Sequence, residues 1–107
     1  MLDLCHAIRY TDGVIKSFAS RETSDLFLGR SSRRLPADVQ RRALQKLVSI
    51  HAALGLDELA RIPGNRFEKL AGNRRGQYSI RVNEQWRICF RWRDGDAYDV
   101  EIVDYNR

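Results

Sequence analysis

Three features of this 107-residue chain predict an α+β domain with two N-terminal helices packed on a mainly antiparallel β-sheet. A stripe of apolar residues at helical spacing runs through the first half. Alternating polar and apolar residues fill 77–102. The breaks between these blocks give the order strand, helix, helix, then four strands in succession. The length supports one core and not two.

The elements follow in order. Val14-Ile15-Lys16-Ser17-Phe18 is a short strand expected to join the sheet, and a helix begins near Ser20–Thr23, turns Leu26 and Phe27 inward and breaks around Gly29. Leu35-Pro36-Ala37-Asp38 starts the longer helix, with Pro36 in the first turn, where its missing N–H does no harm. Val39, Ala43, Leu47, Ile50 and Leu54 form its apolar stripe, and Gly55 is the expected stop. Arg41, Arg42, Gln45, Lys46 and Ser49 occupy the opposite face. Leu56–Ile62 is a short turn or helical piece, broken by Pro63-Gly64-Asn65. Arg66–Leu70 reads as a strand with Phe67 on one face and Glu68 and Leu70 on the other. Ala71–Gly76 is a turn leading into Gln77–Val82.

Strand side chains alternate, so Tyr78, Ile80, Val82, Trp86, Ile88, Phe90 and Trp92 share the core face, while Arg81, Arg87, Arg91 and Arg93 share the other. A three-residue loop Asn83-Glu84-Gln85 pairs Val82 with Trp86 and sets Arg81 opposite Arg87. Like charges so placed are destabilising by up to ~1 kcal/mol, and an anionic partner would relieve them. For the next turn, a three-residue loop Arg93-Asp94-Gly95 pairs Trp92 with Asp96, Phe90 with Tyr98, Ile88 with Val100 and Trp86 with Ile102. A two-residue Asp94-Gly95 turn pairs Phe90 with Asp99 and mixes the faces, which argues against it. The preferred register puts Glu101 opposite Arg87, a surface ion pair worth little by itself.

The net charge of +5 is unevenly spread: residues 61–93 hold 9 basic and 2 acidic side chains, residues 94–107 hold 1 and 5. An arginine-rich block beside aromatics suits a nucleic-acid backbone, and arginine suits forked contacts to phosphate oxygens. No stretch approaches a membrane span, and the first residues lack a secretory pattern. Cys5 and Cys89 have neither metal nor disulfide spacing, so both read as reduced thiols of a cytoplasmic protein. The Asp57-Glu58 and Asp99/Glu101/Asp104 carboxylates have no histidine or cysteine at ligand spacing. No metal or cofactor is expected. His51 reads as a half-exposed packing residue of the long helix.

Val14-Ile15-Lys16-Ser17-Phe18, Pro63-Gly64-Asn65-Arg66, Gly76-Gln77-Tyr78-Ser79-Ile80-Arg81, Gln85-Trp86-Arg87-Ile88-Cys89-Phe90 and Val100-Glu101-Ile102-Val103-Asp104-Tyr105 together resemble the HigB-type toxins of the RelE/ParE toxin–antitoxin superfamily. The resemblance spans 14–106 and implies a RelE/ParE-like fold over 14–107. It implies a cytoplasmic toxin that cuts mRNA on the ribosome and is neutralised by a helix-turn-helix antitoxin of the HigA type. The antitoxin complex would bind operator DNA. Residues 1–13 precede the family's usual start, and a GTG start codon at Val14 would make them an artefact.

By the same resemblance Arg87 matches the catalytic arginine and Tyr105 the C-terminal tyrosine, although Tyr105 is equally open to core packing. Arg81 and Lys69 are further catalytic candidates. Arg66, Arg74, Arg75, Arg91, Arg93 and Arg107 are candidates for nucleic-acid contact. Arg41, Arg42 and Lys46 are candidates for antitoxin contact, with the arginine-rich sheet as the competing surface. The chain departs from the pattern in two places. Asn106 stands where members carry a histidine used as acid or base, and asparagine cannot exchange a proton near neutral pH. Ala71 stands where some members carry a lysine. These departures leave open a weakly active toxin retained for antitoxin binding and repression, or a non-cutting gyrase inhibitor of the ParE kind.

Overall fold

Ser20 closes the first helix: its hydroxyl accepts from the Thr23 amide, capping α1 (Arg21–Phe27). The computed structural model describes residues 13–105, so most of the N-terminal extension, with Cys5 and His6, and Asn106 and Arg107 lie outside the described residues. Pro36 precedes α2 (Ala37–His51), whose Val39, Ala43, Leu47 and Ile50 are buried as its stripe predicts. The expected fifth member is not part of it. The helix ends at His51, Leu54 is 90% exposed, and Gly55 begins the next element, α3 (Leu56–Ala60), instead of stopping the last. A one-turn 3₁₀ segment, Pro63–Asn65, leads into the sheet.

The four strands β1 (Glu68–Lys69), β2 (Gln77–Arg81), β3 (Trp86–Arg93) and β4 (Asp96–Asp104) lie side by side in chain order, each antiparallel to the next. One face packs on α2, with Ile80, Ile88, Phe90 and Val100 fully buried there. The β2–β3 register is the predicted one, and Arg81 stands opposite Arg87.

The β3–β4 register is not. The turn is the two-residue Asp94-Gly95, whose φ values of +53° and +83° suit a primed turn matched to strand twist. Arg93 therefore pairs with Asp96 and Trp92 with Ala97. The faces do not mix because Asp99, at φ +54°, forms a bulge that takes up one extra residue before Cys89 pairs with Glu101. Tyr98 thus lies opposite Arg91, not Phe90. Arg87 lies opposite Val103, not Glu101.

The bulge is held from outside the sheet. The Ser17 hydroxyl accepts from the Asp99 amide at 2.9 Å. Residues 14–19 run parallel to β4, bridging Ile15 to Ala97 and Phe18 to Val100 instead of forming a full strand. Further along, the buried Thr23 hydroxyl accepts from the Ile102 amide at 3.0 Å. The outer edge of β4 is therefore covered by the chain's own N-terminal part.

Replacing Leu47 with alanine is expected to lower stability by ~2–5 kcal/mol, as for other buried leucines. Leu54→Ala should stay within ~0.5 kcal/mol. Urea denaturation measures both, and similar losses at the two positions would contradict the helix end found here.

Candidate active site

Arg87 is built into the face of the sheet opposite α2. Its backbone sits mid-sheet, one pair from the start of β3, and its side chain is only 8% exposed. Nε donates to Ser79 Oγ at 2.8 Å, and Nη2 donates to the Arg66 carbonyl at 2.6 Å, with a longer contact to the Ser79 carbonyl. The Tyr105 ring lies under the guanidinium, 5.3 Å from its carbon to the ring centre. The closest carboxylate, Glu68, is 4.0 Å away and half exposed. Nη1 makes no hydrogen bond among the described residues, so within them the guanidinium is bonded on one side only.

It opens into a cavity of about 280 Å³ lined by Arg66, Glu68, Arg81, Asn83, Glu84, Arg87 and Tyr105. The Arg66 carbonyl can reach Arg87 because Arg66 takes a left-handed conformation, φ +45°. That bend follows the buried Asn65, whose amide donates to the Leu59 carbonyl while its side-chain oxygen accepts from Lys46 Nζ. Tyr105 is placed by its backbone amide, which donates to the Gln85 carbonyl at 2.7 Å.

The structure thus brings together Arg66, Arg81, Arg87 and Tyr105 of the residues read from the sequence. Tyr105 is 45% exposed and packs on Arg87, not in the core. Lys69 pairs with Tyr78, on the opposite face of the sheet from the arginines, so it does not line the cavity. Arg74 is drawn to Gln77 and Glu101. Arg91 meets Asp99 at 3.4 Å, and Arg93 lies over the Tyr98 ring. Arg93 stands six residues along β3 from Arg87, roughly 20 Å at the usual strand rise. Arg75 is exposed on the turn before β2. Lys46 is committed to Asn65, and burial lowers its pKa. Arg41 and Arg42 are exposed, but they line different cavities.

Glu68 is the site residue that sequence reading missed. Its alternation with Leu70 was visible, but not its register with Ser79, which puts its carboxylate beside Arg87. The groups in this cavity able to accept or donate a proton are Glu68, Glu84 and Tyr105, and no described histidine lines it. No group of three or more potential metal ligands occurs among the described residues. No described helix is long and apolar enough to cross a membrane.

A small antiparallel sheet with helices on one face and an arginine cluster on the other defines an α+β domain. The chain belongs to the HigB-like toxin family: the family model, described as the RelE-like toxin HigB of type II toxin–antitoxin systems, matches residues 16–106. It is 45% identical over 70 residues to Toxin HigB-1 of Vibrio cholerae serotype O1, covering 65% of this chain and 74% of that one. It is 34% identical over 93 residues to Endoribonuclease HigB of Proteus vulgaris, covering 87% of this chain and 100% of that one. Among solved structures, the YoeB-YefM complex from Staphylococcus aureus superposes with a TM-score of 0.49 at 17% identity, over 87% of this chain and 98% of that one.

Cys89, on the same face, is fully buried, and desolvation pushes its thiol pKa up; Arg74 and Arg87 pull the other way. A raised folded value stabilises the fold fully below the ordinary thiol range and is lost as pH rises through it. The urea midpoint should therefore fall more steeply between about pH 8 and 10 in the wild type than in Cys89→Ala. Parallel curves would show a thiol that ionises as easily folded as unfolded.

Proposed function

We propose that this toxin is a ribosome-dependent mRNA endoribonuclease acting in the cytoplasm, neutralised by a HigA-type antitoxin with which it binds operator DNA. The observation that carries the nuclease reading is the half-committed Arg87. One side of its guanidinium is locked to Ser79 and Arg66, and the other faces a cavity beside Arg81. The name of the Proteus vulgaris relative, an endoribonuclease matched along its whole length, supports the same reading.

The chemistry needs no metal. The 2′-hydroxyl oxygen attacks the adjacent phosphorus, the bond from phosphorus to the 5′-oxygen breaks, and a 2′,3′-cyclic phosphate and a 5′-hydroxyl result. Negative charge accumulates on the non-bridging oxygens on the way. A guanidinium already fixed in a poorly hydrated wall stabilises that charge without reorganising. Arg81, opposite it and without a protein partner among the described residues, adds a second cation. Glu68 is the group placed to take the 2′-hydroxyl proton, since its carboxylate lines the cavity within 4.0 Å of Arg87. The leaving 5′-oxygen takes its proton from the water that the open cavity admits. In this scheme the base comes from β1, so Asn106 in place of a C-terminal histidine does not by itself imply a weak toxin. Tyr105 holds the guanidinium plane. For the antitoxin, Arg41 remains the exposed cation on α2 outside the cavities flanking Arg87.

Primer extension on translated mRNA tests the reading. Wild-type toxin should cut within codons, and Arg87→Lys should cut ~10²–10³-fold more slowly, because lysine keeps the charge and loses the fork. Intact mRNA alongside inhibited DNA gyrase would replace this reading with the ParE one. Among the carboxylates, Glu68→Gln is expected to slow cleavage ~10²–10⁴-fold. A full-rate Glu68→Gln enzyme would exclude Glu68 as the base.

A further inference from the structure

A second cavity, about 820 Å³, adjoins the one over Arg87 and shares Arg66, Arg81, Asn83 and Glu84 with it. Its other walls are Arg42 on α2, the Pro63-Gly64 turn and the start of the β2–β3 loop. The two cavities thus share a wall, and the outer one reaches from the sheet to the long helix.

We propose that this outer cavity is a second phosphate-binding site, in which Arg42, Arg66 and Arg81 hold the backbone of single-stranded RNA next to the scissile bond. The proposal rests on the nuclease reading above and extends it along the substrate.

Three observations carry it. First, the charge is uncompensated. Five other arginines, Arg30, Arg34, Arg61, Arg74 and Arg91, each meet a carboxylate within 3.4 Å, whereas no ion pair joins the three that share this cavity. Arg42, Arg66 and Arg81 form no ion pair or side-chain hydrogen bond among the described residues, and Glu84 is the one carboxylate lining their cavity. Second, the cations come from three elements, a helix, a bend and a strand, so their convergence is a property of the fold and not of a charge run in the sequence. Third, the floor leaves room for a chain. Gly64 has no side chain, nothing lies within 4 Å of where its Cβ would be, and Pro63 presents an exposed ring beside it. Open space with several unpaired guanidiniums and a small apolar floor suits an extended phosphodiester strand. An acidic segment of the antitoxin would satisfy the charges but would not explain why the cavity shares Arg66 and Arg81 with the one over Arg87.

The test measures binding, not cleavage. A fluorescent six-residue 2′-O-methyl RNA, which lacks the attacking hydroxyl, is titrated with toxin over a range of salt. Arg42→Ala should raise Kd about five- to tenfold at low salt and make the log Kd against log salt slope shallower by about 0.7, the value for one phosphate contact on a single strand. Arg33→Ala, an exposed arginine lining neither cavity, should change neither quantity. Wild-type values for Arg42→Ala overturn the proposal. So does equal weakening by Arg33→Ala, which would reveal a diffuse field. A loss confined to antitoxin affinity would also overturn it and give the cavity to the antitoxin. If Arg42-dependent binding holds but wild-type toxin leaves ribosome-bound mRNA intact, the nuclease reading alone fails.

Discussion

The site depends on one constraint: a nearly buried guanidinium held mainly by neutral oxygens. Arg87 keeps its charge in any folded environment, yet its nearest carboxylate is 4.0 Å away and half in water. Its desolvation is offset by the Ser79 hydroxyl, two carbonyls and the face of Tyr105. A close carboxylate would have stabilised the resting protein better and occupied the atoms that the proposed phosphate contact uses. Holding the cation with dipoles keeps its position and leaves its charge available. The repulsion between Arg81 and Arg87 belongs to the same arrangement, because an incoming anion relieves it.

That constraint reaches back through the fold. The Arg66 carbonyl reaches Arg87 because the chain bends at Arg66, and the bend is set by Asn65, buried and bonded at both ends of its amide. Lys46 supplies one of those bonds from α2. The polar side of the long helix is thus part of the scaffold of the site. Lys46 anchors the turn, Arg42 lines the adjoining cavity, and Arg41 faces elsewhere. Three neighbouring basic residues that look alike in sequence have three different surroundings.

What was legible in the sequence was whatever local periodicity encodes. The alternation from Gln77 to Arg93 separated core from arginine face, and the loop length between Val82 and Trp86 set Arg81 against Arg87. Both helices and their buried faces followed from spacing and from Pro36. The errors share one cause, a local rule applied where a distant residue decides. By local register alone the Asp94-Gly95 turn mixes the faces, yet Asp99 restores them by bulging, and the bulge is held by Ser17, 82 positions earlier. Leu54 kept the helical period but fell beyond the end of the helix. Alternation separates Phe67 from Glu68, but local sequence does not say which face meets the arginines; pairing with β2 places Glu68 beside Arg87 and Lys69 on the far side.

The position of Glu68 also bears on how a site of this kind can lose a histidine. Arg87 is fixed from below by Ser79 and from the side by Arg66, both within the described part of the sheet and the bend before it. Tyr105 is tied to Gln85 through its backbone amide. In the proposed scheme charge stabilisation and proton transfer rest on different parts of the sheet, the first on β2 and β3, the second on β1. A carboxylate on β1 would then fill the proton-accepting role in a chain that carries asparagine at position 106.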